Sequence, residues 1–251
     1  MFGGSIIENK TFYYARVSSR EQNLDRQLEA FRKLGAEERE IIELAKVIAP
    51  YDGIYASHMR NESNEIVEAV KETIHVGRQA GVRVDISHHK MLGKPNWGKQ
   101  KETLRLIHEA RQEGIQVICD QYPYTCNMTT LNACMPPWYF ENGFRSMTDK
   151  LRDPEFRKKL RAEMEDASTP YDNYYLNAGG WGGVYVYSSS KTPLAEGKFI
   201  TEYAREIGKD EWDAFFDLCV ENNCETGGVF SSMCDEDVCE IIRDPYCIVG
   251  S

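Results

Sequence analysis

The sequence lacks several features that would assign it to a specialised class of protein. Its 251 residues contain no run of eighteen apolar residues, and residues 1–10 hold too short an apolar stretch for a secretory signal. The net charge is −10, and no dense basic cluster offers a face for nucleic acid. We therefore expect a cytoplasmic protein with no membrane partner and no nucleic acid as its main partner.

The eight cysteines also lack the spacing of a structural zinc site. No two of them form a C-x-x-C pair, and the pairs Cys219/Cys224 and Cys234/Cys239 are five residues apart. Since there is no export signal, we expect free thiols. The composition itself, 41% hydrophobic and 28% charged, is that of a soluble globular protein with one large or two small domains.

A regular alternation of strands and helices occupies the middle of the chain. Short apolar runs at 54–58, 82–87 and 115–119 have the character of strands, and helical periodicity fills 63–80 and 101–113. This β-α-β-α-β order, with a period near 30 residues, predicts a parallel sheet or a (β/α) barrel.

The rest of the chain is less regular. Residues 125–195 are rich in Pro, Gly, Tyr and Trp, which predicts long loops or an inserted lobe around a helix at 153–166. Further helices are expected at 22–34, 37–48, 198–208, 211–221 and 235–242, with strands at 12–18, at 226–231 and at the last residues, 247–251.

Polar side chains end the predicted parallel strands. His58 ends the first strand, His88 and His89 the second, and Asp120 the third. Because the carboxyl ends of parallel strands converge on one active site, His58 and His88 are candidate zinc ligands. The alternative is a pair of hydrogen-bonded histidines with no metal.

Five residues close to these strand ends are candidates for substrate binding. A guanidinium such as that of Arg60 offers a two-pronged donor to a carboxylate. The alternatives are solvated loop charges and loop packing around Pro123. The set is Arg60, His89, Lys90, Tyr122 and Tyr124.

Several motifs resemble those of a known family. The runs are YASHMRNES at 55–63, DISHHKMLGKPNWGK at 85–99, ICDQYPYTCNMTT at 118–130, EGK at 196–198 and the closing IVGS. Over residues 42–251 the chain resembles the N-acyl-D-amino-acid deacylases of the amidohydrolase superfamily.

The resemblance implies an α/β fold, a partial amidohydrolase-type (β/α) barrel that is incomplete at both ends and preceded by a short N-terminal β-α segment. It implies zinc as cofactor, bound by His58 and His88, and a small-molecule N-acyl-D-amino acid as substrate near Arg60, Lys90, Tyr122 and Tyr124. The implied reaction is metal-assisted hydrolysis of an amide bond.

The sequence departs from the family in two ways. The family carries a His-x-His pair on its first barrel strand and a cysteine that bridges the metals, but no His-x-His occurs here and no cysteine precedes Cys119. The family's catalytic aspartate is expected just after Ser251, where the sequence ends. The expected activity is therefore impaired.

The N-terminal segment resembles a different family. Residues 13–36, YYARVSSREQNLDRQLEAFRKLGA, are similar to the start of a serine recombinase (resolvase) domain, which would make Ser18 the nucleophile and Arg16 a phosphate-binding residue. The expected division is a resolvase-like fragment at 1–41 and a partial amidohydrolase domain at 42–251. A DNA strand-exchange protein and a non-catalytic fusion remnant are the alternatives to the deacylase.

Overall fold

Four parallel strands form the first sheet of the computed structural model, which describes residues 38–250. In spatial order they are β1 (Ile54–Ser57), β2 (Arg83–Ile86), β3 (Val117–Gln121) and β8 (Cys247–Val249). Helices α2 (Ile66–Ala80) and α3 (Gln100–Gln112) make the crossovers between the first three strands. The predicted β-α-β-α-β order is confirmed.

Helix α2 shows how the sequence builds one of these units. Ile66, Val70 and Ile74 recur every four residues and are buried against the sheet, which is the pattern of an amphipathic helix. The helix ends at Gly81, which adopts φ 68° and donates its N–H to the carbonyl of Gly77. This left-handed ending, which glycine tolerates best, turns the chain back towards β2.

A second, antiparallel sheet belongs to the segment between β3 and β8. Its strands, in spatial order, are β4 (Cys126–Thr130), β7 (Gly227–Ser231), β5 (Val184–Ser188) and β6 (Lys198–Phe199). The helices of this lobe are α4 (Gly143–Lys150), α5 (Pro154–Glu165), α6 (Tyr174–Asn177), α7 (Ile200–Ile207) and α8 (Glu211–Glu221), and α9 (Asp235–Arg243) leads from it to β8.

The expectation of irregular structure over 125–195 is wrong for β4 and β5. The sequence of β5, VYVYS, does alternate β-branched and aromatic residues, a strand pattern that the surrounding Gly and Ser obscure. The sequence of β4, CNMTT, has little apolar alternation, so its conformation depends on pairing with β7. Local pattern is a weak guide where a strand is defined by its partner.

Each sheet has its own hydrophobic core. The lobe packs around Phe215, Phe216, Phe230 and Trp181, whereas the parallel sheet packs around a separate cluster that includes Ile86. β8 returns from the lobe to pair with β3, with Cys119 opposite Cys247. The lobe is therefore a long connection between two neighbouring parallel strands, and the strand predicted at the end of the sequence is confirmed.

Helix α1 (Glu38–Lys46) precedes β1 and packs against α2. It continues across residue 41, where the sequence predicted a division into two domains, and that division stays a prediction. The strand predicted at 12–18 and the helix predicted at 22–34 lie outside the described residues. Within residues 38–250, no helix is long and apolar enough to cross a membrane.

The close approach of α2 to β2 generates a first prediction. A Cβ added at Gly77 would lie 2.1 Å from Cγ2 of Val84, so Gly77→Ala must push the helix away from the strand. We expect the free energy of unfolding to fall by about 1–3 kcal/mol, although alanine is the better helix former. Chemical denaturation measures this change.

Two further variants test the cause of that loss. In a double-mutant cycle, Gly77→Ala combined with Val84→Ala should cost less than the sum of the single changes. Gly182→Ala is the matched control, because its nearest neighbour would be 3.9 Å away. Equal losses in Gly77→Ala and Gly182→Ala would contradict the packing argument.

Candidate metal centre

His58 and His88 meet at the carboxyl ends of the first two parallel strands. Ser57 of β1 pairs with Ile86 of β2, and the histidines follow these residues directly in the chain. Nδ1 of His58 lies 2.9 Å from Nε2 of His88, and the two rings are close to perpendicular at 74°. The sequence-based expectation that these side chains converge is confirmed by this geometry.

The backbone at His88 is strained and held by the third strand. His88 adopts φ 41°, in the left-handed region that is unfavourable for a residue with a side chain. Its N–H donates to Oδ1 of Asp120 at 2.8 Å, and the N–H of His89 donates to the carbonyl of Asp120 at 2.7 Å. Asp120 thus fixes the turn that presents His88, which fits the clustering of backbone strain at functional sites.

Glu62 is a third group of metal-binding type at this position, and the sequence analysis did not identify it. Its side chain is 1% exposed, and with His58 and His88 it forms a set whose ligand atoms lie within 4.8 Å of one another. Oε1 of Glu62 is 2.9 Å from Nδ1 of His88 and 2.5 Å from Nζ of Lys90. An acid four residues after a strand-end histidine was the available signal.

Burial of Glu62 does not keep it protonated. Burial by itself raises the pKa of the Glu62 carboxyl, but the Lys90 ammonium and the hydrogen bond from His88 outweigh burial and hold that pKa well below its usual range. The carboxylate is therefore an anion at neutral pH, and the Lys90–Glu62 contact is a buried ion pair. Breaking such a pair by removing one partner typically costs about 3–5 kcal/mol.

Lys90 and Tyr122 are the substrate-binding candidates that lie close to this centre. Lys90 is 4% exposed, and its ammonium lies 5.9 Å from the centre of the Tyr122 ring. The hydroxyl of Tyr122 is buried and has no hydrogen-bond partner within residues 38–250. A buried donor without an acceptor is costly, so this hydroxyl is suited to a ligand oxygen.

The other candidates are placed elsewhere. Arg60 donates to both carboxylate oxygens of Glu72, at 2.9 and 2.6 Å, and Tyr124 is 64% exposed. His89 is fully buried, with Nε2 2.8 Å from Oγ1 of Thr103 on α3. Burial and the neighbouring Lys90 lower the pKa of His89 to about 4, so it is a neutral core histidine. Arg16 and Ser18 lie outside the described residues.

The antiparallel lobe contributes one carboxylate to this region. Oδ2 of Asp172 accepts the backbone N–H of Glu62 at 2.9 Å, and Oδ1 accepts the hydroxyl of Ser63. Burial raises the pKa of Asp172 to about 6, although these two hydrogen bonds act in the opposite direction. The lobe therefore anchors the loop that carries Glu62.

Comparisons with known proteins find deacylases. No family model matches the chain. It is 48% identical over 92 residues to a D-aminoacylase and 29% identical over 216 residues to an N-acyl-D-glutamate deacylase, both from Alcaligenes xylosoxydans xylosoxydans. The first match covers 37% of this chain and 19% of the relative, and the second covers 86% and 35%.

A solved structure shares the fold over most of the chain. The N-acyl-D-glutamate deacylase of Bordetella bronchiseptica, complexed with zinc and a phosphonate inhibitor, superposes with a TM-score of 0.62 at 26% identity. The match covers 85% of this chain and 35% of that structure, so this chain spans about a third of the length of that relative. These similarities give no support to the recombinase resemblance of residues 13–36.

The raised pKa of Asp172 predicts how stability depends on pH. Because the pKa is about 6 in the folded protein against an ordinary 3.8, the folded state holds this proton more tightly than the unfolded state does. The free energy of unfolding should therefore fall as the pH rises from about 4 to about 6, by up to roughly 3 kcal/mol from this group. Urea denaturation across this range measures the loss.

The variant Asp172→Asn should remove most of that pH-dependent loss, because an amide does not ionise. Asp166→Asn is the matched control, since the exposed Asp166 also accepts hydrogen bonds from a serine, Ser168. An Asp172→Asn protein that loses as much stability as the parent between pH 4 and pH 6 would contradict the assignment.

Proposed function

We propose that the chain is the metal-binding part of an N-acyl-D-amino-acid deacylase, a zinc-dependent hydrolase of amide bonds. The observation that carries the proposal is the 2.9 Å approach of His58 Nδ1 and His88 Nε2 at neighbouring strand ends. The similarity to a D-aminoacylase and to a zinc-bound N-acyl-D-glutamate deacylase supports it. The substrate class is that of these relatives.

The donor set fits zinc. Imidazole nitrogens bind zinc at about 2.0–2.1 Å, and a tetrahedral angle then places two of them roughly 3.3 Å apart. The two nitrogens would need to separate by only a few tenths of an ångström from their present 2.9 Å. Neutral imidazole is a common zinc ligand, and Asp120 holds the backbone of His88 in position.

The proposed chemistry divides between the metal and the protein. When bound, zinc lowers the pKa of a coordinated water to about 7 and polarises the amide carbonyl. His58 and His88 hold it, and the free hydroxyl of Tyr122 is the donor for a substrate oxygen. Lys90 contributes a fixed positive charge beside the site, which favours a substrate that carries a carboxylate.

Metal binding provides one prediction. Zinc added to the protein should shift the ring-nitrogen NMR resonances of His58 and His88, because these nitrogens bind it directly. We expect His58→Ala and His88→Ala each to weaken zinc binding at least tenfold in isothermal titration calorimetry, since each removes one of two imidazoles. The free thiols contribute equally in all variants, so the comparison isolates the histidines.

His75→Ala is the control for this experiment. His75 lies on α2 and lines an open cleft with Glu68 and Lys71, so its loss should leave zinc binding unchanged. Zinc binding that survives both His58→Ala and His88→Ala would show that the metal binds elsewhere, and the proposed centre would be wrong.

Catalysis provides a second prediction. Within residues 38–250, Glu62 alone joins the two histidines as a group of metal-binding type, and its carboxylate is engaged by Lys90. Catalytic zinc usually has three protein ligands, and loss of a positioned general base typically costs about 10²–10⁴-fold in rate. We therefore expect the zinc-loaded chain to hydrolyse N-acetyl-D-methionine at least about 100-fold more slowly than a full-length relative.

The assay should compare the two proteins at equal zinc, with His58→Ala as the inactive reference. Turnover within tenfold of the relative, abolished by His58→Ala, would contradict the expected impairment. It would show that the missing groups are supplied in another way.

A further inference from the structure

We propose that Glu62 is a positioning residue that keeps the ring proton of His88 on Nδ1 and thereby leaves Nε2 free for a metal. The inference rests on the proposed function, because it concerns the ligand role of His88. It assigns a task to a buried carboxylate that neither the sequence motifs nor the similarity to the deacylases assigns.

The two ring nitrogens of His88 face different groups. Nε2 faces Nδ1 of His58 at 2.9 Å, and Nδ1 faces Oε1 of Glu62 at 2.9 Å. A neutral imidazole carries a proton on one nitrogen and a lone pair on the other, and an ionised carboxylate only accepts hydrogen bonds. Glu62 therefore selects the tautomer with the proton on Nδ1, and the lone pair of Nε2 points towards His58.

Lys90 is the competing neighbour. Its ammonium lies 2.9 Å from Nδ1 of His88, and a donor at this nitrogen would favour the opposite tautomer. However, Nζ of Lys90 has two oxygen acceptors at hydrogen-bond distance, Oε1 of Glu62 at 2.5 Å and the carbonyl of His88 at 2.9 Å. Since the ammonium is satisfied by these oxygens, the carboxylate decides where the imidazole proton lies.

The backbone around Glu62 is fixed on two sides. Its N–H donates to Asp172 of the antiparallel lobe at 2.9 Å, and its carbonyl accepts the N–H of Leu92 at 2.8 Å. With its side chain also engaged by Lys90, Glu62 has little freedom to move away from His88. Outer carboxylates that orient a ligating histidine in this way fix its tautomer and its ring orientation.

The same geometry argues against Glu62 as a metal ligand. Its Oε1 lies on the Nδ1 side of His88, whereas the gap between the two histidines lies on the Nε2 side. To bind a metal held by both histidines, the carboxylate would have to leave both Lys90 and Nδ1. A positioning role requires no such movement.

The test is long-range ¹H–¹⁵N NMR of the histidine rings, which distinguishes the two tautomers of each histidine. In the metal-free protein we expect His88 to carry its proton on Nδ1. In the double variant Glu62→Leu/Lys90→Met, which removes the carboxylate without leaving a buried charge, the proton should move largely to Nε2. Zinc affinity should fall on the order of 10–100-fold, the usual effect of losing an outer partner of a ligand.

Two single variants accompany the double variant. Glu62→Gln keeps the size of the side chain and should weaken zinc binding in the same direction, and it provides the measurement if the double variant does not fold. Glu72→Gln is the matched control, because Glu72 is also paired with a cation, Arg60. It should leave the His88 tautomer and the zinc affinity unchanged within twofold.

The outcomes separate the inference from the proposed function. A proton on Nε2 of His88 in the parent, or an unchanged tautomer and affinity in the Glu62 variants, would overturn the positioning role. A zinc-induced shift of Nδ1 rather than Nε2 would also overturn it, since the metal would then occupy the Glu62 side. If the proton lies on Nδ1 but zinc moves neither His58 nor His88, the proposed metal centre itself is wrong.

Discussion

The parallel register between β1 and β2 is the constraint on which the candidate centre depends. Pairing of Ser57 with Ile86 sets the distance between His58 and His88. A slip of one residue would move one strand end by about 3.3 Å and turn its side chains to the opposite face. The close contact of Gly77 with Val84 helps to maintain this arrangement, because it seats α2 directly on β2.

Buried charge is the second element of the design. The Glu62–Lys90 pair lies almost wholly out of solvent next to His88, in a place where an apolar pair would be cheaper to bury. An ion pair in such a position is understandable if its carboxylate has a task. Orientation of His88 is that task in the geometry observed, and it links the stability of the loop to the chemistry of the strand ends.

The antiparallel lobe takes part in this arrangement. Asp172 reaches the loop after β1 and holds Glu62 and Ser63, although more than 100 residues separate them in sequence. Its carboxyl is buried and its pKa raised, so the clasp is strongest when Asp172 is protonated. The lobe, with a separate core of its own, therefore supports the centre through a few polar contacts.

The sequence by itself determined the parts that repeat locally. Helical periodicity, strand-end histidines thirty residues apart and a set of family-like motifs were sufficient for the parallel β-α units and for His58 and His88. The tertiary structure decided the rest. It turned His89 into the core while its neighbour His88 faces the site, it engaged Arg60 with Glu72, and it brought Glu62 and Asp172 together. These contacts depend on side-chain direction and on partners distant in sequence, and neither leaves a periodic signal in the chain.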